Sequence, residues 1–355
     1  MDKKRSTLDR YQEFVSKKIL FMTLTGLLLI FFIALGISLG SADIGLTDVY
    51  SAIIGKGERW KVQIIWQIRI PRVLSAVLAG VALSIAGAGM QSILRNPLGS
   101  PFTLGVSQAA AFGAAFAVIV LGAGTIQSSS SDAVILNNPY LITTSAFAWS
   151  LIATVAILMI SKIRDASPET MVLAGIALGS LFTAGMTSLE YFASDVELAS
   201  VIFWTFGDLG KSTWRDFFIL AAVVLPISAY FIYNSINYNV LDSGDEVAKS
   251  LGVDVEKLRR RGMLLSSLLT ALVVSFFGII GFVGLVVPHI VRRVVGGDER
   301  YLLPASALFG GLFLLISDTA ARTVISPIVL PVGILTSFLG APLFIYLLIR
   351  GRSYW

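Results

Sequence analysis

Apolar runs of about twenty residues, each closed by charge, Pro or Gly, recur along the chain, and an α-helix needs a run of about that length to cross the hydrocarbon core of a bilayer. Ten such runs are present, at 19–39, 73–93, 104–121, 141–161, 171–192, 217–233, 263–277, 279–294, 302–324 and 332–349. The seventh and eighth are short and nearly continuous, so Gly278 and Gly281 predict a tight hairpin or a broken helix. The pattern predicts an all-α, polytopic membrane protein: a short cytoplasmic segment, 1–18, and a single transmembrane domain, 19–350.

Two connections are long enough to do more than connect. The inner one, 234–262, reads as a short amphipathic helix stopped by Gly252, followed by a second helix capped by Asp254 that runs into the next span. Two short polar helices there make a docking platform. The outer one, 40–71, ends in the basic stretch Arg69-Ile70-Pro71-Arg72. A further outer loop, 122–139, holds four consecutive serines and no Lys or Arg, and reads as a flexible link without chemistry.

Composition narrows the class. With 55% hydrophobic and 14% charged residues, against about 25% charged in a soluble domain, the chain lacks the charged surface a soluble fold needs. It has no cysteine, which removes disulfides and thiolate sites, and one histidine, His289, which argues against a multi-histidine metal or haem site. The net charge of +5 is not a nucleic-acid signal, because the basic residues sit in short clusters between apolar runs, where they set orientation. With both termini in the cytoplasm, 19 of the 27 Lys and Arg fall inside. The outer exceptions are Lys56, Arg59, Lys61, Arg69, Arg72, Lys211, Arg215 and Arg322.

Gly207-Asp208-Leu209-Gly210-Lys211-Ser212-Thr213 resembles a phosphate-binding loop but fails on spacing, because Thr205 stands where the first glycine is required. Any ATP use therefore belongs to another chain. His289 reads as a hydrogen-bonded structural residue. Asp318 and Arg322, four apart, share one helix face near the outer end and form a local ion pair or a rim contact. Small residues at 82–89 and 109–117, with Gly36, Gly40, Gly175 and Gly179, predict close helix contacts. Trp204 and Trp214 read as interfacial anchors. The spans hold few ionisable residues, among them Glu190, His289 and Asp318, so the chain reads as a pathway without its own coupling-ion site. The alternative is a secondary transporter driven by an ion gradient; the scarcity of buried nucleophiles, acids and metal ligands argues against a membrane-embedded enzyme.

Taken in order, several stretches resemble one family, the permease subunits of ATP-binding-cassette importers for iron-siderophore complexes, haem and cobalamin. They are Arg69-Ile70-Pro71-Arg72, Gly87 to Gln91 with Asn96-Pro97-Leu98, Leu104-Gly105-Val106-Ser107, Leu173-Ala174-Gly175, and Trp204 with Gly207. Further on come Gly244 to Gly252, Gly281-Phe282-Val283-Gly284-Leu285, Pro288-His289, Asp318 with Ala321-Arg322, and Gly340-Ala341-Pro342.

The resemblance implies a type II importer permease fold of ten transmembrane helices, a homodimer of permeases and two ATPase subunits docked beneath it. It also implies an external substrate-binding protein and a multi-pass location in a prokaryotic cell membrane. The implied cargo is a metal chelate, a ferric siderophore or cobalamin ahead of haem. No cofactor is implied on this chain, since ATP and Mg belong to the partner ATPase. Arg69, Arg72 and Arg322 match arginines that hold the binding protein. Asp245, Glu246, Ala248, Leu251 and Gly252 match the part that meets the ATPase. Asn96 and Leu98, with Ser167, Pro168 and Glu169, match a cytoplasmic gate. The sequence departs from the family at Val329, where relatives often carry Glu before the stretch Leu330-Pro331-Val332-Gly333.

Overall fold

A computed structural model describes residues 7–40, 44–123, 138–163, 168–326 and 328–350. The first helix, α1 (Thr7–Ser38), starts well before the predicted 19. Its polar entry continues the helix, held in part by the Glu13–Lys17 pair one turn apart at 3.1 Å. Two short helices, α2 (Leu46–Ile53) and α3 (Arg59–Ile64), form an outer hairpin, and α3 passes through a π-helical turn, Ile65–Arg69, into α4 (Ile70–Leu94). The π turn ends two residues before Pro71, which has no N–H for the helical ladder, and the helix continues across the proline.

The chain then forms α5 (Val106–Ala115), which also ends in a π turn, Phe116–Val120, followed by α6 (Pro139–Ile163) and α7 (Pro168–Phe192). The next helix, α8 (Asp195–Thr205), was absent from the sequence reading, yet Ser194 and Glu197 carry its start signal. The Glu197 carboxylate accepts from the Ser194 amide at 2.9 Å and hydroxyl at 2.8 Å. After α9 (Trp214–Tyr233), the inner loop folds as α10 (Ser235–Asp242) and α11 (Asp245–Ser250). The single amphipathic helix expected before Gly252 is therefore two, broken at Gly244. As expected, Asp254 caps α12 (Val255–Phe277), accepting from the Lys257 amide at 3.0 Å. The last three helices are α13 (Val283–Val295), α14 (Glu299–Thr323) and α15 (Val332–Arg350).

Among the described residues, seven helices are long and apolar enough to cross a membrane, and two shorter apolar stretches, Val106–Val120 and Val332–Tyr346, join them. With α13 they account for the ten predicted spans. The break at 278–282 is non-helical backbone, which is tolerated at membrane depth only where protein buries it. Here it lies against Gly207 and Gly333, where an added Cβ on either would overlap the Ile279 carbonyl. Gly207 thus serves close packing, and the loop that resembled a phosphate site is a turn clamped to the end of α12, with the Asp208 amide donating to the Phe277 carbonyl at 2.8 Å.

α4 is the central post, buried along nearly its whole length. Its small residues bring backbones together as predicted: a Cβ on Gly87 would overlap the carbonyl of Gly284 on α13, and one on Gly80 the carbonyl of Gly310 on α14. By contrast, α1 exposes Leu24, Leu27, Ile30 and Phe31, the surface of a lipid-facing helix. Trp204 is not an interfacial anchor: it is 6% exposed and packs in the core with Val201 and Val274. Trp214 stays at the rim, stacked on Phe218, and donates to the Trp66 carbonyl at 2.7 Å.

Candidate functional sites at the two membrane ends

At the outer end the structure gathers Arg69, Arg72 and Arg322 and buries all three. Arg72 holds Asp318 in a fork, with Nη2 donating to Oδ1 at 2.8 Å and Nε reaching both carboxylate oxygens at 3.1 and 3.2 Å. Arg322, one turn from Asp318, pairs with its Oδ2 at 3.1 Å. Asp208 adds a second carboxylate 3.6 Å from Arg72. The end of α1 explains the other contacts. Its last carbonyls lack helical partners and sit at the negative end of the helix dipole. Arg322 donates to the carbonyls of Gly36 at 3.1 Å and Leu39 at 2.9 Å, while Arg69 donates to those of Ile37 and Ser38. The arginines that break the orientation rule are therefore ties between α1, α4 and α14. The sequence placed them together at the outer end, and the structure encloses them because Asp318 and the α1 carbonyls engage them.

At the inner end, Asp245 opens α11 and accepts from Arg259 Nη2 at 3.1 Å, while Arg95 Nη2 lies 3.2 Å away. Both arginines belong to the inner basic clusters, and pairing with Asp245 fastens α11 to α4 and α12. Ala248 is fully buried beneath, and Gly244 and Gly252 take left-handed backbone at φ 112° and 84° at the helix ends. Pinned this way, α11 turns Glu246, Val247 and Leu251 outward, with Leu251 65% exposed. Desolvation pushes the Asp242 carboxyl, at the end of α10, up to about 6 against the pull of Arg292 and Arg95. Asp298, ahead of α14, is held at about 2 by hydrogen bonds from Arg300 and Asn239.

Of the expected gate residues, Asn96 forms a local turn, its Oδ1 accepting from the Leu98 amide at 2.9 Å, and Leu98 is exposed. Pro168 and Glu169 open α7, and Ser167 lies outside the described residues. Asn96 and Leu98 share the wall of a cavity of about 720 Å³ with Val172, Gly175, Ile176 and Gly179 of α7. A second, apolar cavity of about 560 Å³ is walled by Phe102, Phe206, Ile280, Phe282 and Phe338, with hydroxyls from Ser107 and Thr270. Neither cavity was visible in the sequence, because each is assembled from segments far apart in the chain.

The buried carboxylates Glu299 and Asp318 stand at opposite ends of α14, about 29 Å apart at 1.5 Å per residue, and each is paired with arginine. Among the described residues no group of three or more His, Cys, Asp or Glu is placed to hold a metal ion.

The fold and its two charged ends define a multi-pass α-helical membrane transport protein. The chain belongs to the FecCD transport family, which matches residues 27–350. It is 50% identical over 341 residues to an ABC transporter permease protein of Methanocaldococcus jannaschii, covering 96% of this chain and 97% of that one. It is 36% identical over 330 residues to the hemin transport system permease protein of Yersinia pestis, covering 92% of this chain and 96% of that one. A solved metal-chelate type ABC transporter in an inward-facing conformation superposes with a TM-score of 0.80 at 29% identity, over 93% of this chain and 98% of that one. The chain has the ten-helix type II importer permease fold and is an ABC permease subunit.

Proposed function

We propose that the chain is the pathway of an ATP-driven importer that receives a metal chelate from an external binding protein and releases it into the cytoplasm. Two copies enclose the pathway, and a separate ATPase docks beneath each. Both termini lie in the cytoplasm, in agreement with the distribution of Lys and Arg.

The observation that carries this reading is α11, tied to α4 and α12 through Asp245 while Glu246, Val247 and Leu251 face outward. A rigidly fastened helix with an outward apolar and acidic face transmits displacement from a docked engine to the helices behind it. The two buried carboxylates on α14 stand at its opposite ends, each beside an arginine, which favours an external energy source over a coupling ion held midway along that helix. The apolar cavities beside α7 and α15 suit a bulky chelate of low charge density, and hemin, the cargo named for the Yersinia pestis relative, has that character. At the outer rim, an acidic side chain of the binding protein competes with Asp318 for Arg72 and Arg322, which links docking to the ties on α1 and α4.

Co-expression with a cognate ABC ATPase tests the platform. The tagged chain is expected to retain the ATPase through purification, and Leu251→Asp to lose it while remaining folded. Retention unchanged in that variant contradicts the assignment.

A further inference from the structure

A cavity of about 520 Å³ opens at the same end of the molecule as α11, where the ends of α1, α4, α10 and α13 converge. Its walls include Phe14, Arg95, Asp242, His289, Arg292 and Arg293. Among the described residues, three arginines and one carboxylate line it. Two further carboxylates hold arginines from behind: Asp245 holds Arg95, at 3.2 Å, and the fully buried Glu299 holds Arg292, at 3.3 Å. A guanidinium has five donors spread over more than one edge, so an ion pair on one edge does not exhaust its capacity. Helix C-termini attract cations, each carrying about half a negative charge.

The backbone gives a second, independent sign. Arg95 occupies the left-handed region at φ 44°, where a non-glycine residue is uncommon. Glycine ends a helix there without strain, and the chain carries instead an arginine that lines the cavity. The mouth is apolar: Phe14 and Val294 are each about half exposed beside it, and α1 is the lipid-facing helix that leads away from it. A basic pocket between transmembrane helices with an apolar entrance matches an anionic headgroup whose acyl chains remain in the bilayer.

We propose that this cavity binds a phosphate group, supplied by the headgroup of an anionic phospholipid of the leaflet facing α11. An occupant shares Arg95 with Asp245 and so sits one ion pair from the coupling helix. That consequence rests on the import reading above, whereas the binding site does not.

The test uses the full-length chain, delipidated in detergent. Dioleoylphosphatidylglycerol, dioleoylphosphatidylcholine and water-soluble glycerol 3-phosphate are titrated separately, and bound species are counted by native mass spectrometry. Phosphatidylglycerol is expected to bind at least about tenfold more tightly than phosphatidylcholine, and Arg293→Gln and Arg95→Gln each to weaken it about fivefold. Arg300→Gln, whose partner Asp298 lies outside the cavity wall, is the control and leaves binding unchanged. Glycerol 3-phosphate binding with the same sensitivity, and no preference among lipids, also supports a phosphate site but assigns its source to the cytosol. Equal binding of the two lipids without glycerol 3-phosphate binding, or a preference unmoved by both variants, overturns the proposal. Arg293 is exposed, so its variant carries the test even where Arg95→Gln fails to fold.

Discussion

Arg72 and Asp318, 246 positions apart in the chain, meet at 2.8 Å in a buried fork that joins α4 to α14 at the outer end. Asp318 is fully enclosed and also neutralises Arg322, so Asp318→Asn leaves two buried guanidiniums facing one neutral amide. Breaking a buried pair by removing one partner costs about 3–5 kcal/mol. Chemical unfolding in detergent is expected to register a loss of that order, while Asp208→Asn, at 3.6 Å and partly exposed, changes stability by less than about 1 kcal/mol. The same geometry governs how docking mutants are read. Reversing Arg72 or Arg322 to Glu sets a carboxylate against Asp318, so lost docking in such a variant reports on the fold as much as on the partner.

The coupling helix separates into residues that hold it and residues that face outward. Leu251→Ser and Glu246→Lys change exposed side chains and are expected to shift stability by no more than about 0.5 kcal/mol. In proteoliposomes with the ATPase and binding protein, they leave ATP hydrolysis without matching uptake. Asp245→Ala behaves differently, because Arg95 and Arg259 lose their shared partner, and its unfolding midpoint falls together with uptake.

Close backbone contact around α4 predicts a sharp positional effect of side-chain size. Gly87→Val drives a side chain into the Gly284 carbonyl, whereas Gly26→Val, with nothing within 4 Å, meets open space. Size-exclusion chromatography of solubilised membranes is expected to show loss of the monodisperse peak for the first and an unchanged profile for the second.

The inner face carries a pH signature. Asp242 has a raised carboxyl pKa, about 6 against an ordinary 3.8, so between those values the folded state binds the proton that the unfolded state releases. Its contribution to stability is present below about 4 and is lost as pH rises through about 6. Asp298, held at about 2, works oppositely: its contribution is present above about 4 and is lost as pH falls toward 2. Asp242→Asn is therefore expected to raise the melting temperature at pH 7 and to flatten its dependence between about pH 4 and 6. A variant melting at or below the parent at pH 7 contradicts this account of Asp242.

Much of the architecture was legible in the chain because the bilayer imposes a length on every crossing. The ten apolar runs each became a helix, and the small residues at 82–89 mark the faces where helices touch. Helix α8 escaped because its 11 residues are too short for a span, although the Ser194–Glu197 capping pair announced it. The π turns before α4 and after α5 have no sequence period of their own. Charge was legible in sign and side but not in depth. Arg69, Arg72 and Arg322 stood out because they defy the orientation rule, and the fold adds that the α1 carbonyls and Asp318 enclose them. Arg95 and Arg259 were counted as inner charges, and their pairing with Asp245 depends on how α10 and α11 fold back, which no local pattern encodes.

The most direct test of the central claim is uptake of a labelled metal chelate into proteoliposomes that hold this chain, its ATPase and, outside, the loaded binding protein. The account predicts uptake that requires internal ATP, stops when the ATPase is omitted or cannot hydrolyse ATP, and persists when ionophores collapse proton and sodium gradients. Uptake that continues without the ATPase and disappears with the ion gradient contradicts it.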